Sequence, residues 1–162
     1  MRYNTDPRFV GYEVIKSSQR EQLDSFEVWA FNDKWSSFHV NHYDWWMFPI
    51  DEPSRFSYAW TVYEGDVAEL VKDEVYIRNY LRGAELLSLS WGWDLYRGSY
   101  IGGPHRDQGW QGWSIRLYKA SKSLKLFGFS HLFESLRAYA NDLMDNGERM
   151  EYNVRDLGLL FR

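Results

Sequence analysis

His39-Val40-Asn41-His42-Tyr43-Asp44-Trp45-Trp46-Met47-Phe48-Pro49-Ile50-Asp51-Glu52 is the stretch on which the reading of this chain turns. It crowds histidines, aromatic rings and carboxylates around one proline. Trp35, Phe38, His42 and Trp45 fall at spacings of three, four and three, and His39, Tyr43 and Trp46 follow on the neighbouring stripe. Both are helical periods, so the spacing predicts one aromatic helix from Trp35 to Phe48. Asp33 stands where an N-cap belongs. Pro49 drives Phe48 out of the helical region and ends the helix. A helix so aromatic on two faces belongs in the interior.

Working outward, 162 residues suffice for one domain with a real core. A net charge of −4 argues against a nucleic-acid partner, which needs a basic stripe. The absence of cysteine excludes disulfides, thiolate metal sites and a cysteine nucleophile. Met1 leads into polar residues, and the apolar runs are too short for a membrane span, so a soluble, intracellular (by default cytoplasmic) protein is expected. The aromatic share is high, 19%, while total hydrophobic content is an ordinary 44%. Flat rings either simply fill such a core or leave slots suited to flat or cationic ligands.

Residues 1–18 read as an extended arm and Ser18 to Asn32 as a helix carrying Leu23, Phe26 and Ala30. Pro49 to Glu64 is a connector, and Asp66 resembles the start of a capping box. From Asp73 the helical signal is strong: Ile77, Leu81, Ala84, Ser88 and Trp91, then Gly92 past the end. Asp94 to Gln111 is rich in glycine and reads as a long loop, the kind that more often carries function than not. Trp113 to Phe127 and a helix capped by Ser130 form a natural antiparallel pair closed by Gly128 and Gly147. The leucine-rich tail from Tyr152 is expected to dock on the core. The fold class is therefore all-α: a single-domain bundle of about five to six helices with a long Gly-rich loop.

Three collinear stretches carry a family likeness. Tyr43-Asp44-Trp45-Trp46-Met47-Phe48-Pro49-Ile50-Asp51-Glu52 is similar to a Y-x-x-W-L-F-P-I-x-E motif. Arg82-Gly83-Ala84-Glu85-Leu86-Leu87 with Gly92 is similar to an R-x-x-E-L-M helix ending in glycine. Ile115, Arg116, Leu117, Lys119, Lys122, Leu124, Gly128 and His131 follow an L-R-I-x-R-I-L-K-x-L…G-x-x-H pattern. Together, over roughly Trp35 to Leu143, the chain resembles the conserved domain of the opioid growth factor receptor family. Asn41 departs from the family's usual histidine, and the loop Asp94 to Gln111 does not match. The resemblance implies an all-helical domain. In animals the family is associated with a short, enkephalin-like peptide; that activity is not carried over here.

Three functional readings remain. The first is a binding module whose pocket takes a small aromatic or hydrophobic molecule, or a short aromatic peptide. Its walls would be Tyr43, Trp46, Trp91, Trp93, Trp110 and Trp113, with Arg82 and Arg116 anchoring a negative group. Arg82, Glu85, Arg116 and Lys119 would otherwise form an interior ion-pair network, or equally bind a carboxylate or phosphate of a ligand. The second is a cofactor-independent enzyme on the same pocket, rearranging or cyclising a hydrophobic substrate. Glu52, His42 and Asp44 would do its acid–base work, Glu52 with a pKa raised by burial; the bland alternative pairs Glu52 with Arg82 or Arg116. The third is a protein-interaction domain, for instance a homodimer, joined through exposed aromatics. His39 and His42 have a helical metal-ligand spacing, but without a second paired motif no metal and no cofactor are expected.

Overall fold

The helix that the sequence marks most strongly is also the best capped. A computed structural model describes all residues 1–162. In it Asp73 accepts hydrogen bonds from the N–H groups of Val75 and Tyr76, 3.0 and 3.1 Å away, and so starts a helix over Glu74–Ser90. Gly92 closes it at φ 75°, a left-handed conformation that costs glycine nothing.

The chain is mostly helical but not strictly all-α. Helices α1 (Tyr12–Phe31), α2 (Ser37–Val40), α3 (Asp44–Met47), α4 (Glu64–Leu70), α5 (Glu74–Ser90), α6 (Ser114–Leu126) and α7 (Ser130–Asp145) follow in order. Two antiparallel hairpins interrupt and follow them: β1 (Trp93–Asp94) with β2 (Ser99–Tyr100), and β3 (Glu151–Tyr152) with β4 (Arg155–Asp156). A 3-10 turn, Gly158–Phe161, ends the chain. The expected five to six helices become seven because the aromatic helix is not one helix. It is two single turns, α2 and α3, separated by Asn41 at ψ 155° and Tyr43 at φ −153°.

Other boundaries shift for local reasons. α1 starts at Tyr12 rather than Ser18, because Ile15 and Gln19 both face inward; the Gln19 amide donates to the Tyr76 carbonyl at 3.1 Å. Asp33 does not cap a helix: it has φ 53° and accepts from the Trp35 indole. Asp66 lies inside α4 rather than at its start. Its buried carboxylate accepts from the backbone of Asn4 and Tyr63 and from the Tyr12 hydroxyl, at 2.7–2.9 Å. That carboxylate and the Gly65–Arg2 backbone bond of 2.8 Å pin the N-terminal arm. A Cβ at Gly65 would come within 2.6 Å of the Arg2 carbonyl, so the close approach requires glycine. Ser130 is the first residue of α7 and makes no capping bond.

Packing follows the apolar faces. α1 lies on α5, α6 lies on α7, and α3 touches both α1 and α6. One core runs from Ile15 of α1 to Leu157 and Phe161 of the tail, which docks as its leucines suggested. Of the expected loop, the first part is the β1–β2 hairpin; the chain from Ile101 to Trp113 carries no regular element.

Candidate functional site

Arg116 organises the region where the aromatic stretch meets α6. Its side chain is 0% exposed. Nε donates to Asp44 Oδ1 at 2.9 Å, Nη2 to the Asn41 carbonyl at 2.6 Å, and Nη1 to the Phe38 carbonyl. The guanidinium also lies 4.1 Å from the centre of the Tyr43 ring. Phe38 and Asn41 can offer their carbonyls inward only because the chain leaves the helix between α2 and α3. A buried charge this well paired is a structural centre, since every donor direction in use is already matched. Arg116 therefore has no free face with which to anchor a ligand, contrary to the expectation from sequence.

Above that centre a cleft of about 620 Å3 opens between α3 with its following connector, α6 and the β3–β4 hairpin. Trp45 and Trp113 form aromatic walls, with the exposed His42 ring 6.5 Å from the first and 6.2 Å from the second. Ile50, Pro53, Ile115 and Leu157 add apolar floor, and Tyr152 comes from the hairpin. A second recess, sharing Trp45, Glu52 and Lys119, extends the cleft toward Trp60.

The polar rim is built around Glu52. Its carboxylate accepts from Arg155 at 2.6 Å, and also from the Tyr118 hydroxyl and the Lys122 ammonium. Burial pushes this carboxyl up, but the hydrogen bonds from Arg155, Lys122 and Tyr118 outweigh it and bring it down to about 2. The expectation of a raised pKa is thus corrected: Glu52 is ionised, and its partners are Lys122 and Arg155 rather than Arg82 or Arg116. Lys119 differs from Arg116, Lys122 and Arg155. Its Nζ lies 5.1 Å from the centre of the Trp45 ring, on the cleft wall, whereas Lys122, Arg155 and Arg116 are paired with Glu52 and Asp44. Burial lowers the Lys119 pKa from its ordinary value; Asp44 works against this and the Arg116 charge adds to it.

The candidates from sequence do not share one place. Glu52, His42, Asp44 and Trp113 meet at the cleft. Tyr43 is fully buried beneath it against Arg116, its hydroxyl on the Phe38 carbonyl. Trp46 packs on Trp60 at 5.3 Å and donates to Gln22, outside the cleft. Trp91, Trp93 and Trp110 belong to a separate aromatic stack around Tyr139, with ring centres 5.0–6.2 Å from it. Trp91 and Trp93 are buried there, and the Trp93 indole donates to Ser135. Arg82 is on another face, paired with Glu27 of α1 and Glu85. The interior network drawn from Arg82, Glu85, Arg116 and Lys119 therefore does not form: Arg82 and Glu85 pair on an exposed face, Arg116 is buried with Asp44, and Lys119 lines the cleft.

The sequence does not single out Trp45, Tyr118 and Arg155 as site residues; Lys119, which it groups with Arg82, Glu85 and Arg116 as a network or as binders of a ligand's negative group, lines the cleft. Arg155 gives no signal, because only the tail hairpin brings it back to Glu52.

His39 and His42 do not share a helical face, because the break at Asn41 intervenes. No group of three or more His, Asp or Glu side chains is arranged to hold a metal ion. No helix is long and apolar enough to cross a membrane. No family model, curated protein or solved structure matches the chain.

Proposed function

We propose that this domain is a binding module that takes a small aromatic or hydrophobic molecule, or a short aromatic peptide, in the Trp45–Trp113 cleft. The observation that carries the reading is the cleft itself: about 620 Å3, walled by two indoles and floored by aliphatic side chains. That volume lies in the range of sites that hold a small ligand, and the indole walls stand beside a polar rim that includes Glu52, Lys119 and Arg155.

Equilibrium dialysis against a set of small aromatic molecules and short aromatic peptides tests it. The expected result is one-to-one binding by some members, weakened at least about tenfold by Trp113→Ala, since losing an aromatic wall removes well over 1 kcal/mol of contact. Trp113 is partly exposed, so the variant should keep its fold. Binding that survives Trp113→Ala unchanged, or no binding at all, would contradict the reading.

A second reading, a cofactor-independent enzyme, is favoured by one observation: Glu52, His42 and Asp44 line the same cleft. With Glu52 ionised and Asp44 held by Arg116, His42 is the group left for proton transfer. Turnover of a bound ligand that His42→Ala abolishes, with affinity preserved, would establish it.

A further inference from the structure

The cleft wall holds donors without acceptors. Lys119 projects from the middle of α6 into the cleft and stands over the Trp45 ring with no ion pair, while Arg116, Lys122 and Arg155 each have a carboxylate and the unpaired Arg55 is exposed at the rim. The Trp45 indole N–H is buried and has no hydrogen-bond partner. Both carboxylates nearby are already committed: Asp44 to Arg116, Glu52 to Lys122, Tyr118 and Arg155. A half-buried ammonium without a counter-ion is costly to hold, and burial lowers the Lys119 pKa accordingly. An anion arriving with the ligand would relieve that cost, and it would do so beside an aromatic wall suited to a ring.

We infer that the cleft selects aromatic ligands that carry an acidic group, a carboxylate or its equivalent, and that Lys119 is the residue that binds the anion. This rests on the cleft reading above and narrows it to a chemical class. It also moves the anion anchor from Arg82 and Arg116, which are saturated by Glu27, Glu85 and Asp44, to a lysine that is not. The pairing of a ring with a negative charge suits the site geometrically, because the ammonium and the Trp45 ring face are 5.1 Å apart. One short ligand can therefore touch both.

Three probes of one shape isolate the charge: 4-phenylbutanoate, 4-phenylbutan-1-ol and 4-phenylbutylamine, titrated calorimetrically into the unmodified protein. The acid should bind at least about tenfold tighter than the alcohol, and the amine weakest, because a charge-assisted hydrogen bond in a partly dry site is worth about that factor. Lys119→Met keeps the chain length without the charge. It should bring acid and alcohol within about twofold of each other while leaving the alcohol unchanged. Equal affinity of the unmodified protein for acid and alcohol would overturn the inference and leave the cleft reading standing. So would an acid preference that persists in Lys119→Met, which would assign the anion to the exposed Arg55 or to Arg155. Failure of all three probes to bind would overturn both. The comparison among probes needs no variant, so it holds even if Lys119→Met proves unstable.

Discussion

Arg116 and Asp44 meet 2.9 Å apart inside the protein, although 72 positions separate them in the chain. The same guanidinium takes the carbonyls of Phe38 and Asn41, so one side chain of α6 fixes the path of the whole aromatic stretch. Removing the arginine leaves the buried Asp44 carboxylate without its partner and strips a donor from the Phe38 and Asn41 carbonyls, the first of which keeps the Tyr43 hydroxyl. Arg116→Met should lower unfolding stability by about 3–5 kcal/mol in urea melts. A loss under 1 kcal/mol would mean that the stretch holds its shape without the ion pair.

Acid should weaken the fold in two separable windows. The His39 ring is largely buried, and that burial, with the Arg116 charge adding to it, outweighs a polar contact with the Ser90 backbone and lowers its pKa from 6.5 to about 4. Between those values the unfolded chain binds the proton and the folded one does not, so stability falls as pH drops from about 6.5 toward 4. Glu52 has a depressed folded pKa of about 2 against 4.5, so its contribution is complete above 4.5 and is lost as pH falls from there toward 2. Urea midpoints across pH 2–8 should show both declines. His39→Gln should flatten only the upper one, and an unchanged slope there would remove His39 from the account.

Glu52 also ties the connector to the tail, through Arg155 of β4. Glu52→Gln keeps the shape but removes the charge that three donors share. It should cost about 1–2 kcal/mol and speed amide exchange in the β3–β4 hairpin more than in α6. Equal exchange rates in the variant and the parent would show that the hairpin docks through Leu157 and Phe161 alone.

The tip of that hairpin is strained. Asn153 and Val154 both have positive φ, 48° and 63°, as a tight two-residue turn demands, but valine is β-branched and fully exposed there. Val154→Gly should therefore stabilise the protein by about 0.5–1 kcal/mol, measured by thermal or urea unfolding. Destabilisation would mean that the valine makes contacts that offset its backbone.

The parts legible in the sequence are those whose cause is local. Asp73, Gly92, Gly128 and Gly147 set helix ends by their own backbone chemistry, and α5, α6 and α7 lie close to where their patterns put them. The aromatic stretch misleads because its three-and-four spacing satisfies a helix while its actual course is set by Arg116, a tertiary partner that outweighs local preference. The hairpins escaped notice because each strand is only a pair of residues, too short to show alternation, and Asn153-Val154 lacks the glycine of a strong turn signal. At the site, Glu52, His42 and Asp44 were legible because they lie within one short segment. The aromatics were legible only in part: Trp113 is named from sequence and Trp45 is not, because composition cannot tell indoles that wall a cleft from Trp91 and Trp93, which fill a core.

The most direct test follows from that last distinction. The nine tryptophans give nine indole N–H signals in a 1H–15N spectrum, and 4-phenylbutanoate can be titrated against them. The account expects the Trp45 and Trp113 signals to shift together along one saturable curve, while those of Trp91, Trp93 and Trp110 stay in place. Movement of the Trp91–Trp93–Trp110 set instead, or no saturable shift at Trp45 and Trp113, would contradict the claim that the cleft between α3, α6 and the tail hairpin is the binding site.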